Sequence, residues 1–330
     1  MTRAVRTPLW IAAVAATLTL SLVSFGPRWS TKARAAVTDP VVGAAGDIAC
    51  DPASPKFNGG NGTPRSCRMK AVGSLLASSN LKRVFAVGDT QYNDGAFVKY
   101  GQSYDPSWGG VKSITWPTPG DHEYKTAGAA GYFQYFGAAA VDGTTGTSYR
   151  SYDIPTSDPA RPWHIIVLNS SCPKVGGCGV NSNQYHWLVQ DLAAHPQSQY
   201  PCTLAFFYKG LFSSGMHGGY ATYRPFWQAL YAAHADIVLD GHDHDYERFA
   251  PQTPDGVADP QHGIREYIVG TGGVSTQQFG VPDGIANSQY RQQPGRFGAL
   301  FLTLHPSSYD WAFRAAGGTA LDTGTSNCVS

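Results

Sequence analysis

Short apolar runs that stop at a polar turn set the rhythm of this chain. Val41–Ala45, Val84–Val87, Ile114–Thr118, Ile165–Leu168, Thr203–Phe207 and Ile237–Leu239 lead into GDIAC, GDTQY, PGDHEY, NSSC, YKG and DGHDHDYERF. Runs of this length, bounded by Gly, Pro, Asn or Asp, read as buried strands. Between several of them the apolar spacing changes to that of a helix. Arg68–Ser79 carries Met69, Val72, Leu75 and Leu76 at helical intervals. Asn183–Ala194 opens on an Asn cap and sets Tyr185, Leu188, Val189 and Leu192 on one face, and Tyr223–Ala233 does so with Phe226, Trp227, Leu230 and Tyr231. Strands alternating with helices predict an α/β core. The tail differs, because Arg265–Gly270, Phe297–Leu304 and Tyr309–Arg314 read as strands with no helix between them. Mixed sheets flanked by helices are therefore expected. Pro251–Gly263 and Gln277–Gly295 are polar, Gly/Pro-studded loops expected over a site.

The first 36 residues stand apart. Arg3 and Arg6 precede an uncharged apolar stretch, Leu9 to Phe25, and Ala33-Arg34-Ala35 is a small-x-small sequence. This predicts an export signal cleaved near Ala35/Ala36, with residues 37–330 as one domain and no stable membrane anchor. Cleavage removes five basic residues and no acid, so the balance moves from 24 against 23 to 19 against 23, or −4. A mature chain so charged, with no Lys/Arg run, has no electrostatic footprint for nucleic acid. All six cysteines follow the signal. In an oxidising compartment an even number implies disulfides. Cys50–Cys67 and Cys172–Cys178 each close a short Gly/Pro-rich loop, which leaves Cys202–Cys328 for the C-terminus.

Candidate chemistry lies at the strand ends. Gly46-Asp47, Gly88-Asp89, Gly120-Asp121-His122-Glu123 and Gly241-His242-Asp243-His244 each follow an apolar run. Glycine there permits a sharp turn and close backbone approach, and α/β folds keep their sites in loops at the carboxyl ends of strands. Convergence would gather aspartates and histidines, a donor set suited to Fe, Zn or Mn, and paired ions form a clamp for phosphoryl transfer.

In this order GDIA, GDTQY, GDHE and GHDH resemble the calcineurin-like metallophosphoesterases, more narrowly purple acid phosphatases of the secreted bacterial type. Ordinary members have Asp-x-His first; here Ile48 and Ala49 follow Asp47. The purple acid branch uses the Tyr of Gly-Asp-x-x-Tyr instead, and Tyr92 stands there. The resemblance runs from Val41 to Cys328 and takes in SSGMHG and YERF. It implies a four-layer α/β/β/α fold with two mixed sheets. It also implies a dinuclear centre of Fe(III) plus a divalent Fe, Zn or Mn ion, which hydrolyses a small phosphate ester through a metal-bound hydroxide. Asp47, Asp89, Tyr92 and His244 would hold the first ion. Asp89 would bridge to the second, which would take His242, Asp121 and the fourth-motif position. His122 would be the acid and His217 a phosphate contact. Glu123 and Asp243 are expected to orient the ligand histidines.

Two positions depart from the family pattern. Gly-Asn-His is Gly120-Asp121-His122 here, and the strand that commonly ends in Trp-His-x-Pro ends in Phe207-Tyr208-Lys209-Gly210. Alignment through LFSSG puts Tyr208 at the ligand histidine, while alternation would turn Lys209 away. The usual two aspartates and tyrosinate leave the metal pair net positive. Asp121, and Tyr208 if ionised, would cancel that charge and weaken anion binding. The alternatives to hydrolysis are a non-hydrolytic reaction on a small metabolite and a catalytically inactive exported binding protein.

Overall fold

The computed structural model describes residues 38–143 and 145–329, together with 1, 2, 4 and 8. Val37–Ser330 form one compact unit; the expected export signal lies outside the described residues. Among those described, no helix is long and apolar enough to cross a membrane.

Among the described residues, thirteen strands build two sheets. In chain order they are β1 (Val41–Ala45), β2 (Arg83–Val87), β3 (Thr115–Thr118), β4 (Arg150–Ile154), β5 (Trp163–Val167), β6 (Cys202–Phe206), β7 (Ile237–Asp240), β8 (Tyr246–Phe249), β9 (Arg265–Val269), β10 (Ser288–Arg291), β11 (Gly298–Leu304), β12 (Ser308–Ala315) and β13 (Ala320–Asn327). The first sheet runs β13-β12-β11-β1-β2-β3 and the second β10-β8-β9-β7-β6-β5-β4. Both are mixed. β1, β2 and β3 are parallel to one another, as are β5, β6, β7 and β9, while β11–β13 form an antiparallel meander. The parallel strands carry helices and are buried along nearly their whole length, as covered sheets require.

Side-chain alternation explains the layers. Val42, Ala44, Phe85 and Val87 of the first sheet face Ile165, Leu204, Phe206 and Leu239 of the second across a dry seam. On the outer side of the first sheet, Ala45, Val84 and Ala86 pack against Met69, Val72 and Leu76 of the helix Met69–Ala77. Tyr100, Tyr104 and Trp108 of the helical stretch from Phe97 join them. On the far side of the second sheet, Ile166, Ala205, Phe207 and Val238 pack against Leu188, Phe226, Trp227 and Leu230. Those come from the helices Asn183–Ala194 and Arg224–Ala232. The result is an α/β/β/α sandwich.

All three disulfides are as expected: Cys50–Cys67, Cys172–Cys178 and Cys202–Cys328. Two details differ from expectation. The helix at Asn183 is capped by Ser182, whose oxygen accepts from Tyr185 N, so Asn183 is its first residue. Its inner face carries Gln184, Leu188 and Leu192, and Val189 is exposed. Gln277–Gly295 does cross the site edge, with Gln277 N donating to His244 O, yet it also contains β10. Pro251–Gly263 lies instead against Phe212 and Asn287.

Candidate metal centre

The turns after β1, β2, β3, β6 and β7 meet at one edge of the sandwich. Glycine has two different jobs there: Gly88 takes a left-handed backbone, with φ +78°, while Gly46 and Gly120 serve proximity. A Cβ on Gly46 would stand 2.3 Å from Val87 O and one on Gly120 would stand 2.1 Å from Asp89 Oδ1, so these glycines allow close approach rather than an unusual backbone angle. The left-handed conformation also falls on the functional residues themselves: φ is +59° at Asp47, +44° at Asp89 and +70° at His242. Each such residue costs about 1–3 kcal/mol and persists where the surroundings over-determine it, a pattern typical of active sites.

These backbones aim six side chains at one another. Tyr92 OH donates to Asp47 Oδ1 at 2.6 Å and lies 3.2 Å from His244 Nε2, which is itself 3.2 Å from Asp47 Oδ1. Tyr208 OH donates to Asp47 Oδ1 at 2.9 Å and to Asp89 Oδ2 at 2.5 Å, and His242 Nδ1 lies 3.3 Å from the same hydroxyl. Backbone amides hold the carboxylates in place, with His242 N on Asp47 Oδ2 and His122 N on Asp89 Oδ1, both at 2.9 Å. Asp121 Oδ1 is buried and accepts no hydrogen bond, although Lys209 Nζ stands 3.2 Å away and His242 Nδ1 3.8 Å away. His122 is at the rim, with Nε2 3.8 Å from Asp89 Oδ2 and 2.9 Å from Lys125 Nζ. His217 stacks on His242 at 4.4 Å between ring centroids. Every residue expected at the site is therefore present in one cluster.

The electrostatics are those of an anionic pocket. Burial raises Asp89 well above the ordinary carboxylate range, and Glu123, Asp121 and Asp47 push it further. Burial would raise Asp47 too, but His244, Tyr92 and His242 outweigh it and hold it low. Burial, then Asp47 and Asp89, raise both Tyr92 and Tyr208, which makes each a neutral donor to those carboxylates. Burial and then Lys209 bring His242 down to about 4. Burial would lower His244 as well, yet Asp47 lifts it above its usual value.

Three residues behave differently from expectation. Lys209 faces the site edge, because β6 ends at Phe206 and strand alternation no longer governs the turn. Glu123 accepts from Thr90 Oγ1, Gln91 N and Gly120 N, so it ties the β2 and β3 turns together instead of touching a ligand imidazole. Asp243 accepts from Ser213 Oγ and His217 N. The imidazoles are oriented by groups that the motifs do not reveal. Tyr220 OH pairs with His242 Nε2 at 2.8 Å and Ser275 Oγ with His244 Nδ1 at 2.6 Å. Both lie outside any strand-end pattern; the only sequence hint is the Gly270-Thr271-Gly272-Gly273 turn, which packs Gly272 on Gly46 O just before Ser275.

The donors fit metal ions. Carboxylates crowd a buried space where one carboxylate repels the next, and an open buried oxygen on Asp121 has no donor; a cation relieves both. Ligand atoms of Asp89, Asp121 and His122 lie within 4.8 Å of one another, and Asp47, Tyr92 and His244 form a second trio a few ångströms across. A separate grouping, Asp153, His164 and His195, lies on the β4–β5 edge, but there both His164 nitrogens are taken, by Asp153 at 3.0 Å and Asp191 at 2.8 Å.

Comparison with solved structures decides the architecture. A purple acid phosphatase from yellow lupin (Lupinus luteus) seeds superposes with a TM-score of 0.66 at 17% identity, over 88% of this chain and 54% of that one. This is a metallophosphoesterase-like fold. The chain spans about half the length of the lupin enzyme. A dimetal phosphatase from Danio rerio matches at TM-score 0.55 and 14% identity, over 88% of this chain and 100% of its own. GAP50, the anchor in the inner membrane complex of Plasmodium, matches at TM-score 0.62 and 12% identity, covering 89% and 90% of the two chains. The metallophosphoesterase-like scaffold thus carries enzymes and an anchor alike. No protein-family model and no curated protein matches the chain.

Proposed function

We propose that the protein is an exported metal-dependent phosphoesterase acting on a small phosphate ester. One observation carries this reading: Asp47, Asp89, Tyr92, Asp121, His242 and His244 converge from both sheets on a single buried pocket at the strand ends. Asp47, Asp89, Tyr92 and His244 would hold the first ion, and Asp89, Asp121, His242 and the Tyr208 position the second. Bound ions would neutralise the phosphate and activate water. The chain's own part is positional. His122, backed by Lys125, stands at the open rim where a leaving group would exit, and serves as its proton donor. His217, stacked on His242, meets the phosphate. Three disulfides support an oxidising compartment.

A second reading, a non-hydrolytic reaction on a small metabolite, is favoured by Tyr208, a buried phenol at a ligand position. Metal analysis, an absorption spectrum and a p-nitrophenyl phosphate assay on one preparation separate the two. Bound Fe with a visible phenolate band lost in Tyr92→Phe, together with turnover, supports the phosphoesterase. Bound metal without turnover favours the second reading, and a protein that binds no metal would sink both.

A further inference from the structure

Lys209 carries a charge of the same sign as the expected ions and stands against Asp121. Its ammonium lies 3.2 Å from Asp121 Oδ1, outside hydrogen-bonding geometry, so it acts there as a counter-ion rather than a donor. Two features keep it in place. Lys209 N donates to Ser170 Oγ at 3.1 Å, which fixes the backbone, and Nζ sits 5.4 Å from the centroid of the Tyr220 ring, a cation–π arrangement. Tyr220 is in turn anchored on His242 through its hydroxyl and on Gly210 O through its amide. The ammonium is therefore part of the wall around the Asp121 and His242 donors and is only partly exposed to solvent.

The first group of donors has no ammonium neighbour among the described residues: the ion-pair partner of Asp47 is His244, itself a candidate ligand. Asp47 and His244 otherwise contact Tyr92, Tyr208, Ser275 and the His242 amide. The two halves of the centre thus differ: in one the partner of the carboxylate can itself become a ligand, in the other an ammonium that cannot ligate stands on the open oxygen.

We propose that Lys209 is a built-in competitor for the second ion position, which its ammonium weakens. The inference rests on the reading of this pocket as a metal centre. An ion bound through Asp121 Oδ1 has to share that oxygen with the ammonium or displace it from Tyr220, and like charges in a partly buried space repel strongly. An ion on the Asp47, Tyr92 and His244 side has no ammonium to displace. Occupancy of the second position then follows the free concentration of divalent ion.

The test is a Mn(II) titration of the chelator-stripped full chain, with free Mn(II) counted by electron paramagnetic resonance and total metal by mass spectrometry. Lys209→Met, which keeps the stem over Tyr220, should tighten the second ion by at least about tenfold and leave the first unchanged. Lys209→Arg should keep the second ion weak. Lys209→Gln serves as the neutral variant should the Met protein misfold by circular dichroism. A second ion unmoved by loss of the charge overturns the proposal while leaving the phosphoesterase reading intact. Absence of any bound Mn(II), Zn(II) or Fe in wild type overturns both.

Discussion

Tyr208→Phe removes one oxygen and nothing else, from a side chain that is 1% exposed. That oxygen donates to Asp47 at 2.9 Å and Asp89 at 2.5 Å. In the metal-free protein each bond to a carboxylate contributes about 1.5–3 kcal/mol. Asp47 retains Tyr92 and the His242 amide, and Asp89 retains the His122 amide, so the net loss is placed toward the lower end, about 2–4 kcal/mol. At about 2.1 cal/mol/K per residue, a unit running from Val37 to Ser330 unfolds with an entropy of about 0.6 kcal/mol/K. The expected fall in Tm is therefore about 3–7 °C. Differential scanning calorimetry in excess chelator measures it. A fall of less than about 1 °C would refute the view that the hydroxyl satisfies two buried carboxylates. The loaded protein supplies a second, independent answer. Loss of bound metal or a shifted visible band in the variant identifies the oxygen as a ligand, whereas an unchanged spectrum and stoichiometry leave it a donor to the ligands.

Other consequences are as concrete. Gly120→Ala would drive its methyl to 2.1 Å from Asp89 Oδ1, and the enforced shift should cost about 1–3 kcal/mol and abolish metal binding, as read by thermal shift and metal analysis. Replacing Cys202 and Cys328 by Ser opens a loop with a sequence separation of 126 and should lower stability by about 4–5 kcal/mol in the chain-entropy account, measured by denaturant unfolding. Burial would lower the pKa of His164, but Asp153 and Asp191 on either side outweigh it and raise it above 6.5. The stabilisation this gives is complete below pH 6.5 and is lost as pH rises through the raised folded value, with about 1.4 kcal/mol at stake for each pH unit by which folding raises it. Wild-type Tm should decline across that window and the decline should flatten in His164→Gln; an equal slope in both proteins would show that the imidazole carries no charge there.

Much of this architecture is legible in the sequence because it rests on local signals. β1 begins and ends where its apolar run does, and Gly46, Gly88, Gly120 and Gly241 mark the turns that deliver Asp47, Asp89, Asp121 and His242. β4, β8, β10 and β13 do not read as strands, since RSYDI, YERF, SQYR and ALDTGTSN are polar or mixed and gain their pairing from neighbours distant in sequence. The same limit applies to the site. A ligand following a strand-end glycine announces itself; Tyr220 and Ser275, which orient two imidazoles from loops, do not. Lys209 escapes the sequence pattern because strand alternation does not extend past the end of β6. Only the packed structure displays the positive φ values at Asp47, Asp89 and His242, and at Gly88 beside them.

The donors hang from different sheets. Asp47, Asp89, Tyr92 and Asp121 follow β1, β2 and β3, whereas Tyr208, His242 and His244 follow β6 and β7. Neither sheet owns a complete set of donors, so an ion held there would tie the two sheets together at the edge of the seam lined by Val87, Phe206 and Leu239. Stripping the metal would then untie them at that edge.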